Sequence, residues 1–278
     1  MFCQKRRNLG KGCREIIKLM SKLYITVIQY DIVWENKEQN FEKLNEIIYN
    51  ISEQTDLILL PEMFQTGFSM NAIVLAEPMN GNTINWMQQK AKEKNCCIAG
   101  SFICEDEGKY YNRFVIISPE GNLKYYNKRH SFGMGKEHEN YTPGNERITF
   151  DIKGLKICPL VCYDLRFPVW SRNNTGYDVL LYVANWPSKR SFAWKQLLIA
   201  RAIENQCFVA GVNRIGIDGN NIEHTGNSVV LNPDGSAIWN ANENMQEIQT
   251  VELDLAYLQK FRNDLPFLKD GDKFEIGL

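Results

Sequence analysis

The chain is short of several things, and each shortage removes a class of protein. No apolar run reaches the roughly 18 residues needed to cross a bilayer; the longest, such as Leu57–Pro61 and Val179–Ala184, have the length of strands. The N-terminal segment MFCQKRRNLGKGCREIIKLM is basic but has neither an apolar h-region nor a small-residue cleavage site, so a cytoplasmic protein is expected. An excess of one charge is also missing. Thirty-two Lys plus Arg against 33 Asp plus Glu leave a net charge of −1, which argues against a global basic face for nucleic acid. Only three His are present (His130, His138 and His224), with no HExxH and no His-Cys pairing at zinc spacing, so no metal site is expected. There is no GxGxxG and no GxSxG. Gly133-Met134-Gly135-Lys136 fails the Walker pattern, because no Gly lies five residues before Gly135 and Glu137 follows the lysine. Eight Cys occur without a CxxC or a regular spacing, which favours free thiols over a disulfide framework.

What remains is an ordinary globular composition, 44% hydrophobic and 23% charged. Short apolar runs alternate with amphipathic stretches. YITVIQYDI (24–32) reads as a buried strand, and NKEQNFEKLNEIIYNIS (36–52) places Phe41, Leu44, Ile47, Ile48 and Ile51 at helical spacing. DLILL is a second strand, TINWMQQKAKEKN (83–95) a second helix, and CCIAGSFIC and FVIIS are strands joined by a GK-containing turn. The second half repeats this texture. ITFDIKGLKICPLVCYD reads as a hairpin, VLLYVAN as a strand, SFAWKQLLIARAIENQ as a long helix, and CFVAGVNRIG, HTGNSVVLNP and GSAIW as the last strands. This order implies an α/β fold with helices covering a central sheet. No linker divides it, so one domain is expected over 22–278. Residues 1–21 read as an N-terminal extension without sustained periodicity, a candidate for disorder or an alternative start.

In open α/β sheets ligands bind beyond the carboxyl ends of strands. Three such exits carry reactive side chains: DLILL runs into Pro61-Glu62, NLKYYN into Lys128-Arg129-His130, and KICPLV into Cys162-Tyr163-Asp164. Singly, each has a bland reading as a capping acid, a charged turn or a small core residue. Together they have a use, because a thiol near neutral pH needs a base and positive charge to become a nucleophile. A non-catalytic α/β binding module, with Cys162 in the core and Glu62 and Lys128 as a buried ion pair, is the competing reading. A papain-like pairing of a Cys with His130 lacks that family's local sequence.

LLPEMFQTGF, YYNKRH, and PLVCYDLRFPVW followed by YVANWP resemble the three signature blocks of the nitrilase (carbon-nitrogen hydrolase) superfamily. RAIENQCFVAGVNRIG and GNSVVLNPDG are similar to its later segments, so the resemblance runs from residue 22 over nearly the whole chain. The wording is most like the bacterial omega-amidase branch. The resemblance implies a four-layer α-β-β-α sandwich, a homodimer or larger homo-oligomer, no cofactor, and a Glu-Lys-Cys triad. By motif, Glu62 matches the general base, Lys128 the oxyanion-stabilising lysine and Cys162 the nucleophile. The backbone N–H of Tyr163 joins Lys128 on the oxyanion. A second family glutamate stands seven residues before a Gly, and here that spacing to Gly144 selects Glu137 over Glu139.

The implied substrate is a small-molecule amide, the terminal amide of a short 2-oxo dicarboxylic acid such as 2-oxoglutaramate or 2-oxosuccinamate. Other amidases, carbamoylases and nitrilases of the superfamily are the alternatives. Such a pocket must bind a carboxylate. Lys189 and Arg190 follow VANWP at the opening of the long helix, where a cation and free N–H groups both favour an anion. Arg190 is the preferred partner, and Phe64, Phe68, Tyr163, Trp186 and Phe192 are the aromatics expected to line the rest.

Overall fold

Period-two alternation in the strands sorts their side chains between two separate cores. The computed structural model describes residues 21–277. In chain order the elements are β1 (Lys22–Gln29), α1 (Lys37–Tyr49), β2 (Leu57–Leu59), α2 (Ala72–Leu75), α3 (Asn82–Lys94), β3 (Cys97–Asp106), β4 (Lys109–Ile117), β5 (Leu123–Asn127) and α4 (Glu137–Asn140). The second half continues with β6 (Phe150–Ile152), β7 (Leu155–Val161), α5 (Pro168–Ser171), β8 (Val179–Ala184), α6 (Ser191–Asn205), β9 (Phe208–Asn213), β10 (Ile215–Ile217), β11 (Glu223–Thr225), β12 (Val229–Leu231), β13 (Ala237–Asn240), β14 (Glu247–Asp254) and α7 (Leu255–Asp264).

Two six-stranded sheets form, ordered β14-β1-β2-β3-β4-β5 and β13-β12-β9-β8-β7-β6. Each has three parallel strands at its centre, β1-β2-β3 in one and β7-β8-β9 in the other, with antiparallel strands on both flanks. The central parallel strands are buried on both faces and read as continuous Val/Ile/Leu runs, as parallel strands do. Leu57 and Leu59 of β2, with Leu23, Ile25 and Val27 of β1, face the second sheet; Ile58 and Leu60 face outward onto helices.

The outer faces are capped by amphipathic helices. Leu44, Ile47 and Ile48 of α1 and Ile84, Met87 and Ala91 of α3 bury against the first sheet. Asn36 caps α1 by accepting from the Gln39 N–H at 3.0 Å. On the far side Trp194, Leu198 and Ala202 of α6 pack on the second sheet. Two sheets back to back with helices outside them make the α/β sandwich expected from the sequence. Sequence reading ended at GSAIW; the structure adds β14, which pairs with β1 from Lys22↔Asp254 to Gln29↔Glu247, and α7. Among the described residues no helix is long and apolar enough to cross a membrane. Residues 1–20 of the expected N-terminal extension lie outside the described residues, as do Cys3 and Cys13.

Candidate active site

Three strand exits converge at one end of the sandwich. After β2 the chain runs through Leu60-Pro61 to Glu62, and Met63 then takes a left-handed conformation (φ 44°). Its N–H donates to Ser101 Oγ at 2.9 Å, and that hydroxyl donates to Asn112 Oδ1 at 2.9 Å. The second bond fixes the amide of Asn112. Its Nδ2 faces two carboxylates, donating to Glu62 Oε1 at 2.7 Å and to Glu137 Oε1 at 3.2 Å.

Lys128 follows β5, and its Nζ lies 2.9 Å from Glu62 Oε1 and 3.0 and 2.9 Å from the two oxygens of Glu137. Glu137 arrives on the loop after β5, held by the Phe132 N–H at 2.6 Å. That loop returns to β5 through Gly144, whose N–H donates to Lys128 O at 2.8 Å. A Cβ at residue 144 would sit 2.2 Å from the carbonyl oxygen of Asn127, so only glycine allows the approach. Glu137 is the carboxylate that meets Lys128; Glu139 is exposed.

Cys162 directly follows β7 with φ 44°, a left-handed backbone uncommon for a residue with a Cβ, and opens a 3-10 turn over Cys162–Arg166. Asp164 pins that turn. It accepts from Val161 N–H at 3.0 Å, the Tyr126 hydroxyl at 2.8 Å and His130 N–H at 3.0 Å, with His130 Nδ1 at 2.7 Å. His130 also stacks on Phe167 at 3.7 Å between centroids, so its ring serves this support. From the exit of β8, Asn185 donates its backbone N–H to Glu62 Oε2 at 2.8 Å and its side-chain amide to the Glu62 carbonyl. Cys162 Sγ lies 4.0 Å from the carbonyl oxygen of Asn185.

Glu62, Lys128 and Glu137 are all buried. Burial works against the charge of Lys128, but Glu137 and Glu62 outweigh it and hold its ammonium well above the ordinary lysine range. Burial raises the Glu137 carboxyl, with Lys128 opposing and Glu62 adding to the shift. Burial followed by the Glu62 charge pushes the Cys162 thiol well up, and Lys128 only partly offsets this. The resting sulfur is therefore a thiol, and it can attack only as its proton leaves. Burial, as the largest cause, also pushes Cys96 and Cys104 up to about 12. What separates Cys162 from them is its company, not its acidity.

Above this cluster opens a cavity of about 290 Å³ whose floor includes Cys162, Lys128 and Asn185. Phe68, Tyr163 and Trp186 line its walls, and Lys128 Nζ lies 5.1 Å from the centre of the Phe68 ring. Two guanidiniums reach it: Arg190, 5.1 Å over the Phe132 ring, and Arg166, 4.9 Å over Trp186. Arg190 lies in a 3-10 turn, Ser188–Arg190, ahead of α6 rather than in its first turn, and Lys189 points to solvent outside the cavity. Two expected lining residues are elsewhere. Phe64 is buried under the first sheet, 5.7 Å from Trp86 and 6.5 Å from Phe41, because the left-handed Met63 ends strand alternation after Glu62. Phe192 is 77% exposed. It lies two residues before Trp194, roughly 200° around α6 from the buried stripe.

Among the residues of the site that the sequence does not single out are Asn112, Asn185, Arg166 and His224. Arg166 and Asn185 carry a usable signal, since one shares the turn opened by Cys162 and the other ends a buried strand. Asn112 sits mid-strand and His224 in a three-residue strand, with nothing local to mark either.

The carbon-nitrogen hydrolase family pattern matches residues 24–263. The chain is 44% identical over 257 residues to Omega-amidase YafV of Escherichia coli (strain K12), covering 92% of this chain and 100% of that protein. It is 35% identical to the 2-oxoglutaramate amidase of Bacillus subtilis (strain 168), covering 90% of this chain and 97% of that one. Among solved structures, XC1258 from Xanthomonas campestris, described as a CN-hydrolase superfamily protein with an arsenic adduct in the active site, superposes with a TM-score of 0.90 at 41% identity, covering 93% of this chain and 100% of that one. With strands, cluster and cavity arranged as above and the family pattern spanning both sheets, the chain belongs to the carbon-nitrogen hydrolase family, hydrolases of carbon-nitrogen bonds other than peptide bonds.

Proposed function

We propose that this protein is an omega-amidase, releasing ammonia from the terminal amide of short 2-oxo dicarboxylic acid monoamides such as 2-oxoglutaramate and 2-oxosuccinamate. The observation that carries this reading is a single cavity with a buried Glu62-Lys128-Glu137 cluster beside Cys162 at its floor and two guanidiniums, Arg166 and Arg190, along its walls. The names of two relatives, Omega-amidase YafV and 2-oxoglutaramate amidase, support the same substrate class.

In this scheme Glu62 takes the Cys162 proton as the sulfur attacks the amide carbon. The developing oxyanion is held by Lys128 and the backbone N–H of Tyr163. Collapse breaks the C–N bond, the proton on Glu62 passes to the leaving nitrogen, and ammonia departs. Water then attacks the thioester and gives a proton to Glu62. The C–S bond breaks, the acid is released, and the proton returns to sulfur. Glu137 and Asn112 position Lys128 and Glu62, since Lys128 bridges the two carboxylates on one side and Asn112 on the other. At the far end of the substrate a guanidinium fork pairs both carboxylate oxygens. The homodimeric or larger assembly and the cytoplasmic location belong to this reading on the family resemblance, and sedimentation and cell fractionation test them.

Ammonia release across a panel of 2-oxoglutaramate, an aliphatic amide, an N-carbamoyl amino acid and a nitrile tests the assignment. The 2-oxo acid amide is expected to have the highest kcat/KM. Cys162→Ala is expected to abolish turnover in a folded protein, and the native enzyme to show an acyl adduct on Cys162 by mass spectrometry. Preference for the nitrile or the uncharged amide would overturn the substrate class, and ammonia release by Cys162→Ala would overturn the mechanism.

A further inference from the structure

The two donors assigned to the oxyanion come from different sheets. Lys128 leaves β5 of the first sheet, whereas the Tyr163 N–H belongs to the turn that follows β7 of the second. An amide oxygen can be held by both only if the two strand exits keep a fixed separation. One side chain spans them. Asp164 is fully buried beside Tyr163, and its partners at the exit of β5 stand two residues before and two residues after Lys128. Its Oδ2 accepts from the Tyr126 hydroxyl at 2.8 Å and its Oδ1 from the His130 N–H at 3.0 Å, with His130 Nδ1 at 2.7 Å. On its own side, the Val161 N–H donates to Oδ2 at 3.0 Å and closes the turn that carries Cys162 and Tyr163.

The span is braced a second time. The Tyr126 hydroxyl accepts from the Arg129 N–H at 3.1 Å and from Trp170 Nε1 at 2.9 Å, so the residue after Lys128 and helix α5 meet at one oxygen. These bonds involve neither the Cys162 sulfur nor the Glu62 carboxylate. The chemistry at position 164 matters as much as its place, because a carboxylate only accepts and three of the groups around it are main-chain N–H or hydroxyl donors. Asn has the same shape, yet whichever way its amide turned, its NH2 would face the N–H of Val161 or of His130 and leave buried donors unpaired.

We propose that Asp164 is the positioning residue of the oxyanion site: by clamping the turn of Cys162 to residues on both sides of Lys128, it sets the separation at which the Lys128 ammonium and the Tyr163 N–H can hold one amide oxygen together. This inference rests on the thioester mechanism above and adds to it a residue that touches no reacting atom.

The test separates attack on a carbonyl from attack by the same sulfur on saturated carbon. Amide hydrolysis puts charge on oxygen, whereas alkylation by iodoacetamide displaces iodide as the thiol proton leaves and draws on no oxyanion donor. In Asp164→Asn, kcat on whichever amide of the panel is turned over fastest is expected to fall about 100-fold, the scale of a misplacement of about 1 Å. Both KM and the rate of Cys162 alkylation, followed by peptide mass mapping, are expected to stay within about threefold of the wild type. An unchanged kcat overturns the proposal. So does an alkylation rate that falls in step with kcat, since Asp164 would then support the nucleophile or the fold as a whole. Should Asp164→Asn not fold, Tyr126→Phe, which keeps the ring and removes only the hydroxyl of the clamp, is expected to show the same split at about tenfold; an unchanged kcat or an equal loss in both rates overturns the proposal there too. A wild type that releases ammonia from no amide of the panel removes the mechanism and this inference together. Amide hydrolysis that neither variant slows removes this inference alone.

Discussion

At the floor of the cavity each buried charge meets an opposite charge or a donor of this chain: Lys128 touches Glu62 and Glu137, and Asn112 donates to both carboxylates. Around the walls, and among the described residues, Arg166 and Arg190 rest on aromatic rings with no carboxylate in ion-pair distance, and the buried Nδ1 of His224 has no hydrogen-bond partner. The charged groups of the floor are paired before substrate arrives, so in the proposed mechanism they need little reorganisation when charge develops on the amide oxygen. The walls are left incomplete, so binding free energy there comes from the ligand. In the proposed mechanism catalysis and selection would thereby be separated in space, and substitutions in the two regions should fail differently.

The largest effects belong to the floor. Lys128→Met and Glu62→Gln are each expected to lower kcat by about 100-fold or more. Lys128→Met should also lose about 3–5 kcal/mol of stability, because it strands two buried carboxylates. Steady-state kinetics and denaturant unfolding measure both; a loss in Glu62→Gln of only about threefold would remove it as the base and restore a purely structural ion pair.

Acid should next expose the unpaired imidazole. The unfolded chain takes up the His224 proton near the ordinary value of 6.5 and the folded chain only near 4. This contribution to stability is therefore fully present above about pH 6.5 and declines as pH falls towards 4, by up to about 3 kcal/mol. Thermal midpoints across that window should fall more steeply for the wild-type protein than for His224→Phe, and parallel curves would contradict a buried neutral ring.

The smallest effects are the most selective. Arg190→Ala or Arg166→Ala should raise KM for 2-oxoglutaramate about tenfold and leave an uncharged aliphatic amide nearly unaffected. An equal rise on both substrates would exclude that arginine from carboxylate binding.

How much of this could be read from the chain depended on whether the signal was local. Glu62, Lys128 and Cys162 each stand one to three residues beyond a strand, within a contiguous motif, so both their identity and their meeting place were legible. Glu137 was selected by its distance to Gly144, and the structure gives that spacing a cause in the close approach to Asn127. Phe64 lies in the outer core instead of the pocket because Met63 takes a left-handed backbone just before it, which nothing in the local sequence announces. Phe192 faces solvent because its angular position on α6 is opposite the buried stripe, a position set by the helix's packing. β14 carries alternation in Val251 and Leu253, and α7 an Asp254 cap on the Ala256 N–H, yet β14 finds its partner more than two hundred residues earlier in β1. Nothing local announces such a pairing.

The bonds from Asn185 to Glu62 join residues 123 positions apart and tie one sheet to the other. Glu62, Asn112 and Lys128 follow from the first sheet, Cys162 and Asn185 from the second. Contacts between such distant segments close large loops and are entropically costly to form early. During synthesis the first sheet's acid, amide and lysine leave the ribosome well before the second sheet exists, and in the proposed mechanism Cys162 would meet its base only when the two halves dock. In that mechanism a partly made chain would have no assembled nucleophile, and the chemistry would switch on with the closing of the sandwich.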